Sequence, residues 1–262
     1  MVGFARSNTA LPTQLALASK LPNKFAVCIP SSTENGFGTI FIGGGPYYMP
    51  PYPNDMSHSL ITTPLITIPV SRPPVLTRSG GPSAEYFIGV KSIRVDGKLV
   101  PLNASLLAID KNGIGGTTLS TVAPHPLLAT SIYEAVINAF VKAAASRKMK
   151  RVKSVAPFGA CFSSKTVLVS TNTGPPVLTI DLVLQSKTKY WRIYGANSMV
   201  KVGKDVLCLG FEDGGSNPIT SIVLGGHLLE NYLLEFDLAS SKLRFSSSLL
   251  LKNTTCSQSR IF

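Results

Sequence analysis

Over most of its length glycine or proline interrupts this chain every few residues, and that punctuation limits what it can fold into. Among 262 residues there are 22 Gly and 19 Pro. Between them lie short runs rich in β-branched and aromatic side chains: residues 24–29, 38–43, 85–95, 98–100, 177–184, 189–194, 206–209, 219–224 and 232–236. Runs of this length ended by turn residues predict strands, so the chain is expected to be mostly β. Asp96-Gly97 separates two of them, and Asp-Gly favours the positive φ that a tight hairpin needs at both turn positions. Helices are few. Residues 12–19 begin with Pro12, suited to a first helical turn. Residues 131–145 carry Ile132, Val136 and Phe140 at a spacing of four, and Ser131 with Glu134 reads as a capping box.

With 44% hydrophobic and 15% charged residues, the chain can bury a core and does not have the composition of a disordered protein. Residues 46–58 are rich in Pro and Tyr, and residues 71–84 in Ser, Gly and Pro. Both read as linkers, dividing a small N-terminal piece (residues 1–82) from a larger C-terminal domain (residues 83–262). No internal repeat is visible.

The formal net charge is +12, which favours acidic partners and says nothing of fold. Arg147, Lys148, Lys150, Arg151 and Lys153 form one basic cluster. No aromatic side chains are interleaved with it and no nucleic-acid-binding motif accompanies it, so we expect a solvated helix end and loop and no nucleic-acid partner. No run is long enough for a membrane span, and no membrane partner is expected. The four cysteines, Cys28, Cys161, Cys208 and Cys256, form no CxxC pair, which leaves no metal-site spacing. They fit two disulfides in an oxidising compartment, or four thiols if the chain stays in the cytosol. Asn103 and Asn253 head glycosylation sequons, which matter only in a secreted chain. The first residues do not form a signal peptide, so we expect a natural N-terminus further upstream. His58, His125 and His227 are dispersed in sequence and read as structural or exposed. No GxSxG nucleophile motif or phosphate-binding loop occurs, and no cofactor is expected.

The closing segment narrows the field. Residues 223–237 read VLGGHLLENYLLEFD, followed by SKLRF at 241–245. This resembles the last motif of pepsin-like aspartic proteases, in which Leu-Gly ends a strand, a short helix follows and Phe-Asp begins the next strand. The stretches at 10–15, 24–28, 85–93, 102–107, 155–162, 198–200 and 208–210 resemble one plant branch in particular: the extracellular dermal glycoprotein, basic 7S globulin and xylanase-inhibitor family. The resemblance implies a pepsin-like fold with a complete C-terminal lobe plus the last part of an N-terminal lobe. About the first third of the family's length, with its first catalytic loop and flap, has no counterpart. The resemblance also implies disulfides Cys161–Cys208 and Cys28–Cys256, and an extracellular, apoplastic or cell-wall location.

Aspartic proteolysis needs two carboxylates sharing a proton, each from an Asp-Ser/Thr-Gly loop. Here Ile114, Gly115 and Gly116 stand where the second such loop aligns, and none of the seven Asp residues precedes Ser/Thr-Gly. The chain is therefore expected to be a non-enzyme. The resemblance instead implies inhibition of cell-wall-degrading glycoside hydrolases, whose clefts hold paired carboxylates. Expected partners are acidic secreted glycoside hydrolases or cell-wall polyanions, and a separate chain supplying the missing N-terminal lobe. Candidate contact residues are Arg151, where some endoglucanase-inhibiting relatives carry an inserting arginine, and Lys252, where xylanase-inhibiting members carry a histidine. Ile219 departs from an arginine common among relatives. The alternatives are a basic storage or peptide-binding glycoprotein, and an inactive truncated copy.

Overall fold

A computed structural model describes residues 3–34, 36–69, 82–167 and 169–257. The chain is mostly β, as expected. In order, its strands are β1 (Lys24–Cys28), β2 (Thr39–Ile42), β3 (Ile61–Ile66), β4 (Tyr86–Ile88), β5 (Ser92–Val95), β6 (Lys98–Leu99), β7 (Thr117–Leu119), β8 (Leu127–Leu128), β9 (Arg151–Val152), β10 (Cys161–Ser163), β11 (Ile180–Val183), β12 (Tyr190–Ile193), β13 (Met199–Lys201), β14 (Val206–Leu209), β15 (Glu212–Asp213), β16 (Ile222–Leu224), β17 (Leu233–Asp237) and β18 (Lys242–Phe245). The helices are α1 (Leu11–Ala18), α2 (Thr130–Ser146), α3 (Gly195–Ser198) and α4 (Gly226–Leu229). Two compact units interleave in sequence: residues 1–89, 110–113 and 230–262 form one, and residues 90–109 and 114–229 the other. Part of the expected linker, residues 71–81, lies outside the described residues.

The first unit is a sheet ordered β4-β3-β18-β17-β1-β2, with antiparallel neighbours throughout. Its centre is β17, buried along its whole length. Phe236 of β17 lies opposite Phe25 of β1, and the two rings stack at 4.8 Å. The acids of β17 also meet cations across the sheet. Asp237 pairs with Lys24 at 2.8 Å, and Glu235 with Arg244 at 2.7 Å, each in register. The Phe-Asp pair therefore closes β17 where the motif led us to expect a strand start. Asp237 also accepts the Ser240 N–H at 2.9 Å, which ends the strand in a turn.

The Pro/Tyr-rich segment 46–58 is part of the core and not a linker. Tyr47, Met49 and Met56 are buried beside Ala26, Leu233 and Leu249, around the Cys28–Cys256 disulfide. Prolines suit such a path because they bring no N–H that would need a partner. Asp55 fixes the loop by accepting the N–H of Tyr47 at 2.7 Å, the N–H of Ser57 at 2.9 Å and the Ser57 hydroxyl. These bonds hold its carboxyl down at about 2.

The second unit contains two four-stranded ladders, β12-β11-β5-β6 and β13-β14-β10-β9, and a short mixed one, β15-β8-β16-β7. Asp96 and Gly97, both at positive φ, join β5 to β6 as the sequence predicts. Cys161 and Cys208 face each other across β10 and β14 and are bonded, so both disulfides implied by the resemblance are present. Asp181, buried on β11, takes a two-pronged contact from Arg192 of β12 at 2.7 and 2.8 Å.

Helix α2 buries Ile132, Val136 and Phe140 as predicted, and Ile137 and Ala144 as well. The expected capping box does not form. The helix starts one residue earlier, at Thr130, with Ala129 as its N-cap and no side-chain cap bond. Its first free N–H, on Thr130, donates instead to the Gly215 carbonyl at 2.9 Å, while the Thr130 hydroxyl donates to Asp213. A tertiary partner thus satisfies the helix end that local chemistry was expected to serve. Ser131 and Glu134 stay exposed.

Two stability outcomes are expected. Asp55→Ala removes the acceptor of three donors and is expected to cost about 1–3 kcal/mol. Because the folded carboxyl is held below its ordinary 3.8, that contribution is present above the ordinary value and lost as pH falls toward about 2. Urea titrations at stepped pH should show wild type and variant converging only in that acid window. Arg192→Leu leaves Asp181 buried without its bidentate partner and is expected to cost about 2–3 kcal/mol. A loss below about 0.5 kcal/mol in the same assay means that Arg94, in register on β5, neutralises Asp181 by itself.

Candidate functional site

The loop aligned with the second catalytic motif is built from glycine. Gly115 and Gly116 have φ of 96° and 76°, conformations that side chains resist. A Cβ on Gly115 would lie 2.3 Å from the Ala108 carbonyl oxygen, and one on Gly116 2.4 Å from Ile109. Main-chain bonds pin the turn: Gly115 N–H donates to Ile219 O at 2.8 Å, and Ile222 N–H to Gly116 O at 3.0 Å. The chain then enters β7, which runs parallel to β16, with Thr117 and Thr118 buried. At the outer tip stands Ile114, 48% exposed. Its side chain has no group that can take or give a proton.

The aspartates have other partners. Asp55 orders the 46–58 loop, Asp181 pairs with Arg192 and Asp237 with Lys24. Asp96 holds Arg147, and Asp205 meets Lys165 at 3.0 Å. Asp213 accepts from Thr130 and from the Gly215 N–H, which lowers its carboxyl below the ordinary range. Asp110, exposed, lies just before the glycine loop.

Arg151 and Lys252 belong to different units. Arg151 is exposed on β9, the outer strand of its ladder among the described residues, and donates to Gly159 O at 3.3 Å. The basic cluster around it is more ordered than a solvated helix end. Arg147 caps α2, Lys148 turns the chain at φ 58°, Met149 is buried, and Arg151 and Val152 pair with β10. Fifteen of the 25 Lys and Arg but only six of the 13 carboxylates fall in this second unit. Lys252 is half-buried and engaged: its Nζ donates to the Tyr52 hydroxyl at 2.9 Å and sits 4.1 Å from that ring's centre. This cation and Asn54 lower the Tyr52 hydroxyl's pKa.

Asn103 is exposed at the start of a 3-10 turn, where its side-chain oxygen accepts from Ser105 N–H at 3.1 Å and Ser105 Oγ at 2.8 Å. Asn253 is exposed at φ 54°, and the Thr254 hydroxyl after it is buried against the Met49 and Pro50 carbonyls at 2.8 Å.

Two arrangements escaped the sequence reading. Ile219, 44% exposed, has its carbonyl bound to the glycine loop, so residues 105 positions apart supply two exposed isoleucines around one turn. His125 lies 2.7 Å from Glu212, with its ring 6.0 Å from that of His227. The three are far apart in sequence, and no spacing rule connects them. Among the described residues no group of three His, Cys, Asp or Glu is placed to hold a metal.

Comparison with known proteins places this frame. The family described as Xylanase inhibitor C-terminal matches residues 85–247. The protein named Probable aspartic proteinase GIP2, from Nicotiana benthamiana, is 51% identical over 98% of this chain and 57% of its own length. Basic 7S globulin of Glycine max is 36% identical over 95% of this chain and 54% of its own. The crystal structure of edgp superposes with a TM-score of 0.92 at 50% identity, over 98% of this chain and 62% of that one. Soybean basic 7S globulin superposes at 0.77 with 32% identity, over all of this chain and 60% of the other. The chain thus spans a little over half the length of the curated relatives it matches. On a pepsin-like frame whose glycine loop presents Ile114 at its tip, the chain belongs to the xylanase inhibitor C-terminal family.

Proposed function

We propose that this chain is a non-catalytic, pepsin-like protein that binds and inhibits secreted, cell-wall-degrading glycoside hydrolases. The carrying observation is Ile114 at the tip of a loop whose glycine-dependent shape is kept. A frame that holds the turn but presents an aliphatic side chain cannot activate water through a shared proton. What remains available to it is recognition.

Charge supports the partner class. The second unit carries fifteen Lys and Arg against six carboxylates, and most of the cations are exposed. Glycoside hydrolase clefts present two carboxylates. A guanidinium can bridge such a pair through two charge-assisted bonds, and a basic body speeds the encounter. Arg151 is the stronger candidate because one 3.3 Å bond holds it, so turning toward a partner sacrifices little. Lys252 would have to give up both its hydrogen bond and its ring contact with Tyr52. We place the protein outside the cell, in the apoplast or wall, with Asn103 and Asn253 as exposed sequons. A storage or peptide-binding role is the second reading, favoured by the match to soybean basic 7S globulin over 95% of the chain.

Inhibition assays against a fungal endoglucanase and a fungal xylanase test the proposal. Arg151→Ala is expected to raise the inhibition constant about tenfold or more, as loss of a charged hydrogen bond of about 1.5–3 kcal/mol predicts. Lys252→Ala is expected to change it less than threefold. Wild-type inhibition should weaken from 50 to 300 mM salt. No inhibition of either enzyme, with abundant seed accumulation, would favour storage. Ile114→Asp is expected to yield no peptidase activity on a denatured protein substrate, because one acid does not make a dyad.

A further inference from the structure

The ladder β13-β14-β10-β9 gathers cations from three separate stretches of sequence at one of its ends. Its register decides which strand ends lie together. Arg151 at the start of β9 faces Phe162 on β10, Phe162 faces Leu207 on β14, and Leu207 faces Lys201 at the end of β13. Main-chain bonds carry the same row past the strands. Ser163 N–H donates to Lys150 O at 2.8 Å, and Ser164 N–H to Asp205 O at 2.9 Å. Lys150, Lys165 and Lys204 therefore meet at this end, while Lys148 precedes β9 and Lys153 follows it. Lys148, Lys150, Arg151, Lys153, Lys165, Lys201 and Lys204 are all exposed.

Almost nothing in the chain balances this charge. Residues 147–167 and 199–209 hold eight Lys and Arg and one carboxylate, Asp205, which Lys165 meets at 3.0 Å. Among the described residues no carboxylate lies within ion-pair reach of the other six exposed cations. Elsewhere Lys24, Arg147, Arg192 and Arg244 each hold an acid. Unpaired like charges held on one sheet repel each other, and a ligand with repeated negative charge relieves that repulsion. Three features select the ligand. The cations succeed one another across neighbouring strands, about 4.8 Å apart, which suits an extended chain better than a small anion. Six of the seven exposed ones are Lys, point charges that do not impose the two-pronged geometry with which Arg reads phosphate. The aromatic side chains of these segments, Phe158 and Phe162, are buried, so no platform is offered to a nucleic-acid base.

We propose that this end of the ladder is a docking surface for an extended polyuronate chain, held by Lys150, Arg151, Lys165, Lys201 and Lys204. A polyuronate carries one carboxylate on every sugar and no base, which fits all three features. The surface lies wholly inside the second unit, among the residues 85–247 that match the family, so this chain supplies all of its cations. The inference does not rest on hydrolase inhibition, and it narrows a general preference for acidic partners to one chemistry and one set of residues.

The test titrates the full chain with soluble polygalacturonate in a calorimeter, from about 50 mM salt upward. Fully methyl-esterified polygalacturonate, the same chain without its charges, and a single-stranded RNA are the comparisons. The expected result is binding to polygalacturonate that weakens as salt rises, none to the esterified chain and weaker binding to RNA. Lys150→Glu and Lys204→Glu lie on different segments of the row. Each is expected to weaken binding about threefold or more and to lower its salt dependence. Lys187→Glu makes the same change of charge in the exposed turn between β11 and β12, and is expected to leave binding within about twofold of wild type. Near-UV circular dichroism verifies that all three variants fold. The proposal is overturned if wild type does not bind polygalacturonate, binds the esterified chain equally, or binds RNA more tightly. It is equally overturned if Lys187→Glu loses as much as the other two, which would make net charge the cause and not this surface.

Discussion

Strand β17 carries two acids, Glu235 and Asp237, through the buried centre of a sheet, and the first unit depends on how they are neutralised. Each buried carboxylate costs several kcal/mol unless it is paired and hydrogen-bonded. Glu235 is 1% exposed, and it accepts from Arg244 at 2.7 Å and from the Tyr47 hydroxyl at 2.5 Å. Burial first, and this carboxylate second, push the Tyr47 hydroxyl far above its ordinary pKa, so it stays a donor at any physiological pH. Asp237 meets Lys24. These contacts fix the register of β1, β17 and β18, and through Tyr47 they draw the 46–58 loop into the core. The Cys28–Cys256 bond closes the same cluster from the C-terminal side.

The second unit applies the same logic to Asp181 and Arg192. Asp55, Asp96, Asp181, Asp205, Asp213 and Asp237 each have a structural partner: a cation, a helix-end hydroxyl or a turn N–H. The loop keeps its shape through main-chain bonds and positive φ at Gly115 and Gly116, none of which requires an acid. Shape and chemistry are separable here because the turn is held by backbone alone. The shape of this turn therefore does not depend on which side chain stands at position 114.

The net charge is unevenly spread. Carboxylates are mostly tied into internal pairs, while Lys148, Lys150, Arg151 and Lys153 reach solvent from a backbone held by Met149 and by pairing to β10. An ordered segment of this kind loses little conformational entropy on binding.

Periodicity and turn chemistry made much of this readable in advance. The Asp96-Gly97 hairpin, the buried stripe of α2, the short strands and the family motif follow from local residue preferences. The errors lay where a tertiary partner replaced a local one. Gly215 and Asp213, not Ser131 and Glu134, serve the start of α2, and Phe-Asp ends β17 because Asp237 is needed opposite Lys24. The 46–58 segment has the composition of a linker but packs as core, since composition cannot show which side of a loop faces other side chains. The sequence by itself determined the strand-rich class and the family, both of which depend on residues near one another. Only the tertiary structure decided which buried acids found cations, that Lys252 is occupied by Tyr52, and that Lys150, Lys165 and Lys204 meet at one end of a ladder. Those outcomes depend on contacts between residues tens to hundreds of positions apart, and no local pattern encodes them.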